Sequence, residues 1–291
     1  MGEILDGKLL AKKIRENLRL EVEQLRKNVV IPKLAVIMIG DDTSSKIYVK
    51  NKSIACKEVG IEYEEHLLDE NTQMDYLLDL IKELNNREDI TGILLQSPIP
   101  NHLDINKAIQ EISYKKDVDG FNPINVGKLI LNQDCLVSCT PYGIIKLLEE
   151  YSIEVEGKDV VVVGRSNIVG KPMLSSLLNK NGTVTICHSK TKNLSEHTKK
   201  ADILVCAIGK SKYITKDMVK QGATVIDVGI NRGEDGKITG DVDFENVYEK
   251  VKYITPVPGG VGPMTIAMLM SNVVKAAKML KCNDTQIDKT N

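Results

Sequence analysis

Tryptophan is absent from this chain and phenylalanine occurs twice, so the aromatic side chains are mostly nine tyrosines in 291 residues. A base-stacking surface for single-stranded nucleic acid needs more than that. No charge of one sign dominates either: 39 Lys+Arg face 40 Asp+Glu, for a net charge of −1. No global field therefore steers nucleic acid or a membrane towards the chain. Long apolar runs are missing. The most apolar late stretch, 261–274, is interrupted by Thr265, Ser271 and Asn272 and is too short to span a bilayer. The opening MGEILDGKLL has no basic segment followed by an apolar one, so no signal peptide is expected. Of the six cysteines only Cys135 and Cys139 lie close together, and no histidine or second pair joins them at zinc spacing. His66, His102, His188 and His197 share no i,i+4 pair or motif and read as structural. The expectation is a cytoplasmic chain with free thiols and no metal.

What is present alternates. An amphipathic helix over 8–27 precedes the buried strand KLAVIMIG (33–40), a helix over 44–59 stopped by Gly60, and the strand IEYEEHLL. A helix over 73–85 and the strand ITGILLQ (90–96) complete a βαβαβ rhythm, which implies a parallel sheet with helices on both faces. Residues 97–140 read as turn-rich. Thr140 is expected to cap a helix with Pro141 at its first position. A second alternation has strands at 158–164, 183–188, 201–207 and 223–229, with helices near 171–180, 193–200 and 215–221. A long helix over about 263–281 follows and is expected to pack back on the first half; the polar tail NDTQIDKTN is expected to fray. The fold class is α/β with two domains, 1–140 and 141–262, the second Rossmann-like.

SKIYVKNK (45–52) poses a question. On a helix, Tyr48, Lys52, Ala55 and Val59 share one stripe, while Lys50 and Lys57 point away. An ammonium group on the apolar side is either a lysine snorkelling to water or a reactive amine.

VVVVGRSNIVGKP follows a strand and opens a helix, the setting for an anion-binding turn. Its glycines, Gly164 and Gly170, have neither the G-x-G-x-x-G nor the Walker spacing. An NAD site carries an acid at the end of the second strand for the ribose hydroxyl. Here that strand ends CHSKT, with Ser189 and Lys190, and Arg165 and Ser166 occupy the first turn. Cations and hydroxyls in that position favour a 2′-phosphate, hence NADP. ITPVPGGVGPMT (254–265) is either a rigid connector or a loop that a ligand approaches closely. KDVDGFNPINVG (116–127) carries Asp117 and Asp119 in a turn, and taken alone these read as solvated acids. GILLQSPIP ends a buried strand on Gln96, at the edge where open α/β sheets bind ligands.

Together these stretches resemble the bifunctional methylenetetrahydrofolate dehydrogenase/cyclohydrolase family. Its Tyr-Val-x-x-Lys helix, Gly-Ile-Leu-x-Gln strand end, Lys-Asp-Val-Asp-Gly-Phe turn, Thr-Pro-x-Gly, Gly-Arg-Ser-x-x-Val-Gly, Cys-His-Ser-x-Thr and Pro-Gly-Gly-Val-Gly-Pro-Met-Thr all occur in order, from Tyr48 to Thr265. The resemblance implies NADP-linked oxidation of 5,10-methylenetetrahydrofolate, then hydrolysis of the methenyl product to 10-formyltetrahydrofolate. It further implies a cleft between two α/β domains, a homodimer, and a place in one-carbon metabolism and purine biosynthesis. It makes Lys52 the catalytic lysine, Tyr48 the tyrosine that shapes the substrate site, Gln96 the residue that adjusts the lysine, and Asp119 the pterin-binding acid. Leu95, Ser97 and the loop Pro258, Gly259, Gly260, Val261 and Gly262 fall beside the folate. Gly164, Arg165, Ser166, Ser189 and Ile230 match NADP contacts.

The sequence departs from the family pattern at Ser97, Ile54, Asn122 and Ser138, where Leu, Lys, His and Pro are usual. None removes a group the chemistry needs. Two other readings stand beside this one: an NADP dehydrogenase of similar architecture acting on a polyol or amino acid, and a non-catalytic dinucleotide-binding module.

Overall fold

Four consecutive valines, Val160–Val163, are each at most 4% exposed and lie inside a six-stranded parallel sheet. The computed structural model describes residues 2–233 and 236–287, with side chains as far as Lys281. In chain order the elements begin with β1 Glu3–Ile4, α1 Gly7–Lys27, β2 Lys33–Ile39, α2 Thr43–Val59, β3 Glu62–Leu68, α3 Met74–Asn86 and β4 Gly92–Leu95. Three helices follow, α4 Ile105–Glu111, α5 Pro123–Ile130 and α6 Cys139–Glu150. Then come β5 Asp159–Val163, α7 Gly170–Leu178, β6 Thr183–Cys187, α8 Leu194–Thr198, β7 Ile203–Cys206 and β8 Thr224–Asp227. The last are β9 Asn231–Arg232, β10 Ile238–Thr239, α9 Phe244–Val247, β11 Tyr253–Ile254 and α10 Val261–Ile287.

The chain divides into two compact units, one of Lys13–Lys128, Asp134–Cys139 and Ile266–Asn291, the other of Met1–Lys12, Leu129–Gln133 and Thr140–Thr265. In the first unit β2 lies between β3 and β4, all parallel. β2 is buried from Leu34 to Ile39 because it is covered on both faces. Leu77, Ile81 and Leu84 recur at helical spacing on α3 and pack on Ala35, Ile37 and Ile93. Each such side chain contributes ~1.5–3 kcal/mol of burial. Gly60 ends α2 at φ 85°, where its N–H bonds to the Cys56 carbonyl.

In the second unit the strand order is β1-β11-β8-β7-β5-β6. The order reverses between β5 and β7, the kind of position where doubly wound sheets bind ligands. Residues 1–12 belong here rather than with 13–128, which corrects the expected boundary: β1 pairs with β11, Glu3 opposite Tyr253 and Ile4 opposite Ile254.

Several local expectations are also corrected. The turn-rich stretch contains α4 and α5; Asp104 caps α4 through Asn106 and Lys107 N–H. Thr140 is not a cap. The helix already begins at Cys139, and Thr140 Oγ1 instead meets Thr265 Oγ1 at 3.0 Å. Residues 215–221 make only the 3-10 turn Lys216–Met218 before Gly222, because so short a segment cannot offset helix nucleation. The expected fraying falls partly outside the described residues, as does the Cys282 side chain. The other five cysteines are free and buried. Among the described residues no helix is long and apolar enough to cross a membrane, and no His, Cys, Asp and Glu side chains group as a metal site.

Candidate functional site

The buried stripe of α2 runs Ser45, Val49, Cys56 and Val59, with Ala55 beside it. Tyr48 is therefore not on that stripe; it is 42% exposed, at the margin. Lys52 falls between Val49 and Cys56 and is half-buried. Its Nζ donates to Gln96 Oε1 at 2.8 Å. Gln96, 7% exposed, is set by its own amide: Nε2 donates to the Ser97 carbonyl at 2.6 Å, which turns the oxygen towards the lysine. Gln96 sits one residue beyond β4, and its backbone N–H still bonds Ile37. Leu95 points the other way, into the core with Ile37 and Ile93. Ser97 is exposed.

Burial pushes the Lys52 amine below the ordinary lysine range, and the nearby Asp119 carboxylate only partly restores it. Burial likewise pushes Asp119 up to about 6, against the pull of the Lys52 ammonium and with a small push from Asp117. Neither acid of the 116–127 turn is an ordinary solvated carboxylate. Asp117 is 3% exposed and holds the turn: its Oδ2 accepts from Asn122 N–H at 2.8 Å and Asn125 Nδ2 at 2.9 Å. Asn122 in turn accepts from Ile124 N–H at 2.9 Å and donates to the Ile112 carbonyl at 2.8 Å, which gives its place in this turn a structural reason.

Three further residues hold the turn, of which Lys116 and Gly120 belong to the Lys-Asp-Val-Asp-Gly-Phe motif and Asn272 lies outside every motif. Lys116 is 6% exposed and donates Nζ to the carbonyls of Asn85 and Arg87 at 2.8 and 2.6 Å, closing the end of α3. Gly120 has φ 73°, and a Cβ there would lie 2.5 Å from Ser138 N. Asn272 on α10 donates Nδ2 to Val118 and Val137 carbonyls, both at 2.8 Å, beside Asp119. The sequence signal for Asn272 is that it is one of three polar residues interrupting the apolar stretch 261–274.

The second unit carries the other candidate residues. Gly164 ends β5 at φ 132°, and a Cβ there would strike the Ala207 carbonyl at the end of β7. A Cβ at Gly170 would lie 2.6 Å from the Gly164 carbonyl carbon. The six-residue spacing thus serves backbone packing between strand end and helix start. Ser166 Oγ accepts from Val169 and Gly170 N–H at 3.1 and 3.4 Å, organising the first turn of α7. Gly164, Arg165, His188, Ser189, Lys210 and Tyr213 line one pocket at the strand-order reversal, and no carboxylate lines it. Lys210 and Tyr213 are additions to the residues read from the sequence, and His188, read there as structural, lines the pocket with them. The His188 ring accepts Lys190 N–H through Nδ1 at 3.2 Å.

Ile230 is 51% exposed and approaches Gly262, where a Cβ would lie 4.0 Å from Ile230 Cδ1. In the proline-glycine loop Gly259 has φ 111° and its carbonyl accepts from Lys8 N–H at 2.9 Å. Gly260 has no room for a side chain, with Pro256 O 2.6 Å from a Cβ position. Pro258 and Gly262 are exposed, and Val261 is buried.

Comparison with known proteins bears on both units. Residues 5–119 match the tetrahydrofolate dehydrogenase/cyclohydrolase catalytic domain, and residues 138–281 match the NAD(P)-binding domain of the same description. The chain is 54% identical over 276 residues to the bifunctional protein FolD of Campylobacter hominis, covering 95% of this chain and 97% of that one. It is 53% identical over 275 residues to that of Bacillus subtilis, covering 94% and 97%. A crystal structure of the bifunctional enzyme FolD, methylenetetrahydrofolate dehydrogenase/cyclohydrolase, from Campylobacter jejuni superposes with a TM-score of 0.95 at 50% identity, covering 96% and 99%. The Trypanosoma brucei enzyme, complexed with NADP cofactor and inhibitor, gives 0.91 at 34% identity, covering 96% and 98%.

Proposed function

Because the chain belongs to the tetrahydrofolate dehydrogenase/cyclohydrolase family, we infer that it oxidises 5,10-methylenetetrahydrofolate with NADP and hydrolyses the methenyl product to 10-formyltetrahydrofolate. The observation that carries the hydrolytic half is the Lys52 amine, bonded to a neutral amide oxygen in a desolvated place.

Hydrolysis needs one group that takes a proton from the attacking water and returns it to the departing ring nitrogen. An ordinary lysine, at ~10.4, holds its proton too tightly at neutral pH. Desolvation lowers that grip, and the cationic methenyl substrate lowers it further. Gln96 orients the amine without adding the negative charge that would raise its pKa. Asp119 accepts a forked pair of hydrogen bonds from the pterin, and Tyr48 packs on the substrate. Ser97 and the backbone of Leu95 flank Gln96, and in the other unit the Pro258–Gly262 loop offers bare glycine backbone to a ligand.

The pocket at the β5 and β7 ends fits a dinucleotide. Gly164 leaves bare backbone, α7 presents its first turn, and Arg165, Ser166 and Ser189 suit a 2′-phosphate. The T. brucei relative's complex with NADP supports the same choice of cofactor. When bound, NADP supplies the hydride acceptor. The chain's own task in that step is positioning, to within ~3–3.5 Å of the reacting carbon.

We further propose a cytoplasmic homodimer acting on tetrahydrofolate derivatives, with no nucleic acid or membrane partner, its product feeding purine biosynthesis. β3 supports dimerisation: it is an edge strand, and Leu67 on it is 66% exposed. Light scattering at working concentration tests the dimer. The central test is spectrophotometric: NADPH should form from methylenetetrahydrofolate, and the methenyl absorbance should then decay faster than in buffer. A dehydrogenase for a polyol or amino acid would leave methenyltetrahydrofolate untouched, and that outcome overturns the reading. No NADP reduction at all would point to a binding module.

A further inference from the structure

Two buried acids in the second unit lie outside the residues considered so far. Asp227 ends β8 and is 3% exposed; Asp241 follows β10 and is 0% exposed. Asp241 Oδ2 accepts from the backbone N–H groups of Ile208 and Gly209 at 2.7 and 3.1 Å, and Oδ1 accepts from Lys210 N–H at 2.8 Å. The same Oδ1 accepts from Asn231 Nδ2 at 3.0 Å. Asp227 is built likewise. Its Oδ1 accepts from Gly229 and Asp241 N–H at 3.0 and 2.9 Å, and its Oδ2 from Val242 N–H at 2.9 Å. The arrangement is reciprocal. A Cβ at Gly229 would run into the Asp241 carboxylate, and one at Gly240 into that of Asp227.

Three successive backbone N–H groups converging on one point make an anion-binding concavity. Here the protein's own carboxylate fills it, so that concavity is not left for a cofactor phosphate. What it gains is a fixed segment: Ile208 and Lys210 are two of the residues lining the cofactor pocket. Asn231, bound to the same oxygen, directly follows Ile230. One buried carboxylate therefore holds the segment after β7 and the segment after β8. An asparagine could not do this, because its side chain has one acceptor oxygen and brings two donors.

We propose that Asp241 is a positioning residue for the dinucleotide, fixing the Ile208–Lys210 wall of the pocket and tying it through Asn231 to the Ile230 segment. The proposal rests on the cofactor reading above. Asp241→Asn keeps the side chain's size and removes its second acceptor. KM for NADP should rise about tenfold or more while kcat at saturating NADP stays within about threefold. Hydrolysis of supplied methenyltetrahydrofolate needs no dinucleotide and should stay within about twofold of the parent. A folded variant with unchanged KM for NADP overturns the proposal, and so does an equal fall in every activity. Should Asp241→Asn fail to fold, Asn231→Ala removes the bridging bond together with the longer 3.4 Å bond from the same amide to the Thr239 carbonyl. It should raise KM for NADP roughly threefold with kcat and hydrolysis unchanged, and an unmoved KM overturns the proposal. A parent that does not reduce NADP brings down the functional reading itself. A normal parent with an unmoved variant brings down this inference alone.

Discussion

The two groups of candidate residues are built on opposite principles. In the first unit the proposed chemistry rests on a few side chains, and burial shifts two of them: Lys52 is pulled down and Asp119 pushed up to about 6. In the second unit the pocket is shaped by backbone, with Gly164 and Gly170 pressed against their neighbours and Arg165 and Ser189 exposed at the rim. Reaction depends on proton affinity, which desolvation changes. Recognition of a charged, extended cofactor depends on close approach and on cations that keep their charge. The first group should therefore fail by single substitutions of side chains, and the second by graded loss of affinity.

The sharpest break is Lys52→Met, which keeps much of the stem and removes the amine. Cyclohydrolase activity should fall ~10²–10⁴-fold, the usual worth of positioned acid–base catalysis. The dehydrogenase should survive in part, so that the variant releases methenyltetrahydrofolate as a visible product. Equal hydrolysis rates in variant and parent would reduce Lys52 to a lysine snorkelling towards water. Asp119→Asn should lower both activities together, by ~10–150-fold if a charged hydrogen bond worth ~1.5–3 kcal/mol is lost. A fall in one activity alone would place Asp119 in a single chemical step.

Arg165→Ala tests the other side of the comparison. It should weaken NADP by ~1.5–3 kcal/mol and NAD far less; equal losses for the two cofactors would remove Arg165 from the 2′-phosphate. A pH series sharpens the contrast further. Asp119 must be ionised to accept from the pterin, so folate affinity should drop roughly tenfold per pH unit below about 6. Without folate the sign reverses. The folded state holds the Asp119 proton more tightly than the unfolded chain, at ~3.9. Its contribution to stability is therefore full below about pH 4 and lost as pH rises through about 6. Asp119→Asn should flatten both curves. The smallest effect on activity should come from Asn122→Ala, which removes the bonds to Ile124 N–H at the start of α5 and to the Ile112 carbonyl and should cost ~1–3 kcal/mol in thermal unfolding. Both activities should persist once that variant is folded.

The legible parts of this chain were those with local periodicity. β2, α3 and β5 carry continuous or regularly spaced apolar residues, and on α2 Lys52 stands out in line with Ala55 and Val59. β1, β9, β10 and β11 are two residues long and show no pattern; their partners alone make them strands. α4 and α5 are short and begin at polar side chains that also read as turns. The same limit applies at the sites. Gln96 at a strand end and Asp119 in a turn are singled out only by the family resemblance, whereas Asn272 is 154 residues from Val118. Asp241 is 33 from Ile208. Hydrogen bonds over such separations leave no local trace.

The pairing of β1 with β11 has a consequence for how the protein is made. Glu3 meets Tyr253, so 250 residues separate the partners in the chain. At ~5–20 residues per second, a ribosome needs roughly 12–50 s to cover that interval. Throughout it the residues of β1 wait without the strand that completes their sheet, and within it the whole of Lys13–Lys128 is synthesised. The unit that holds Thr140–Thr265 is thus completed at one edge by residues that emerged among the first.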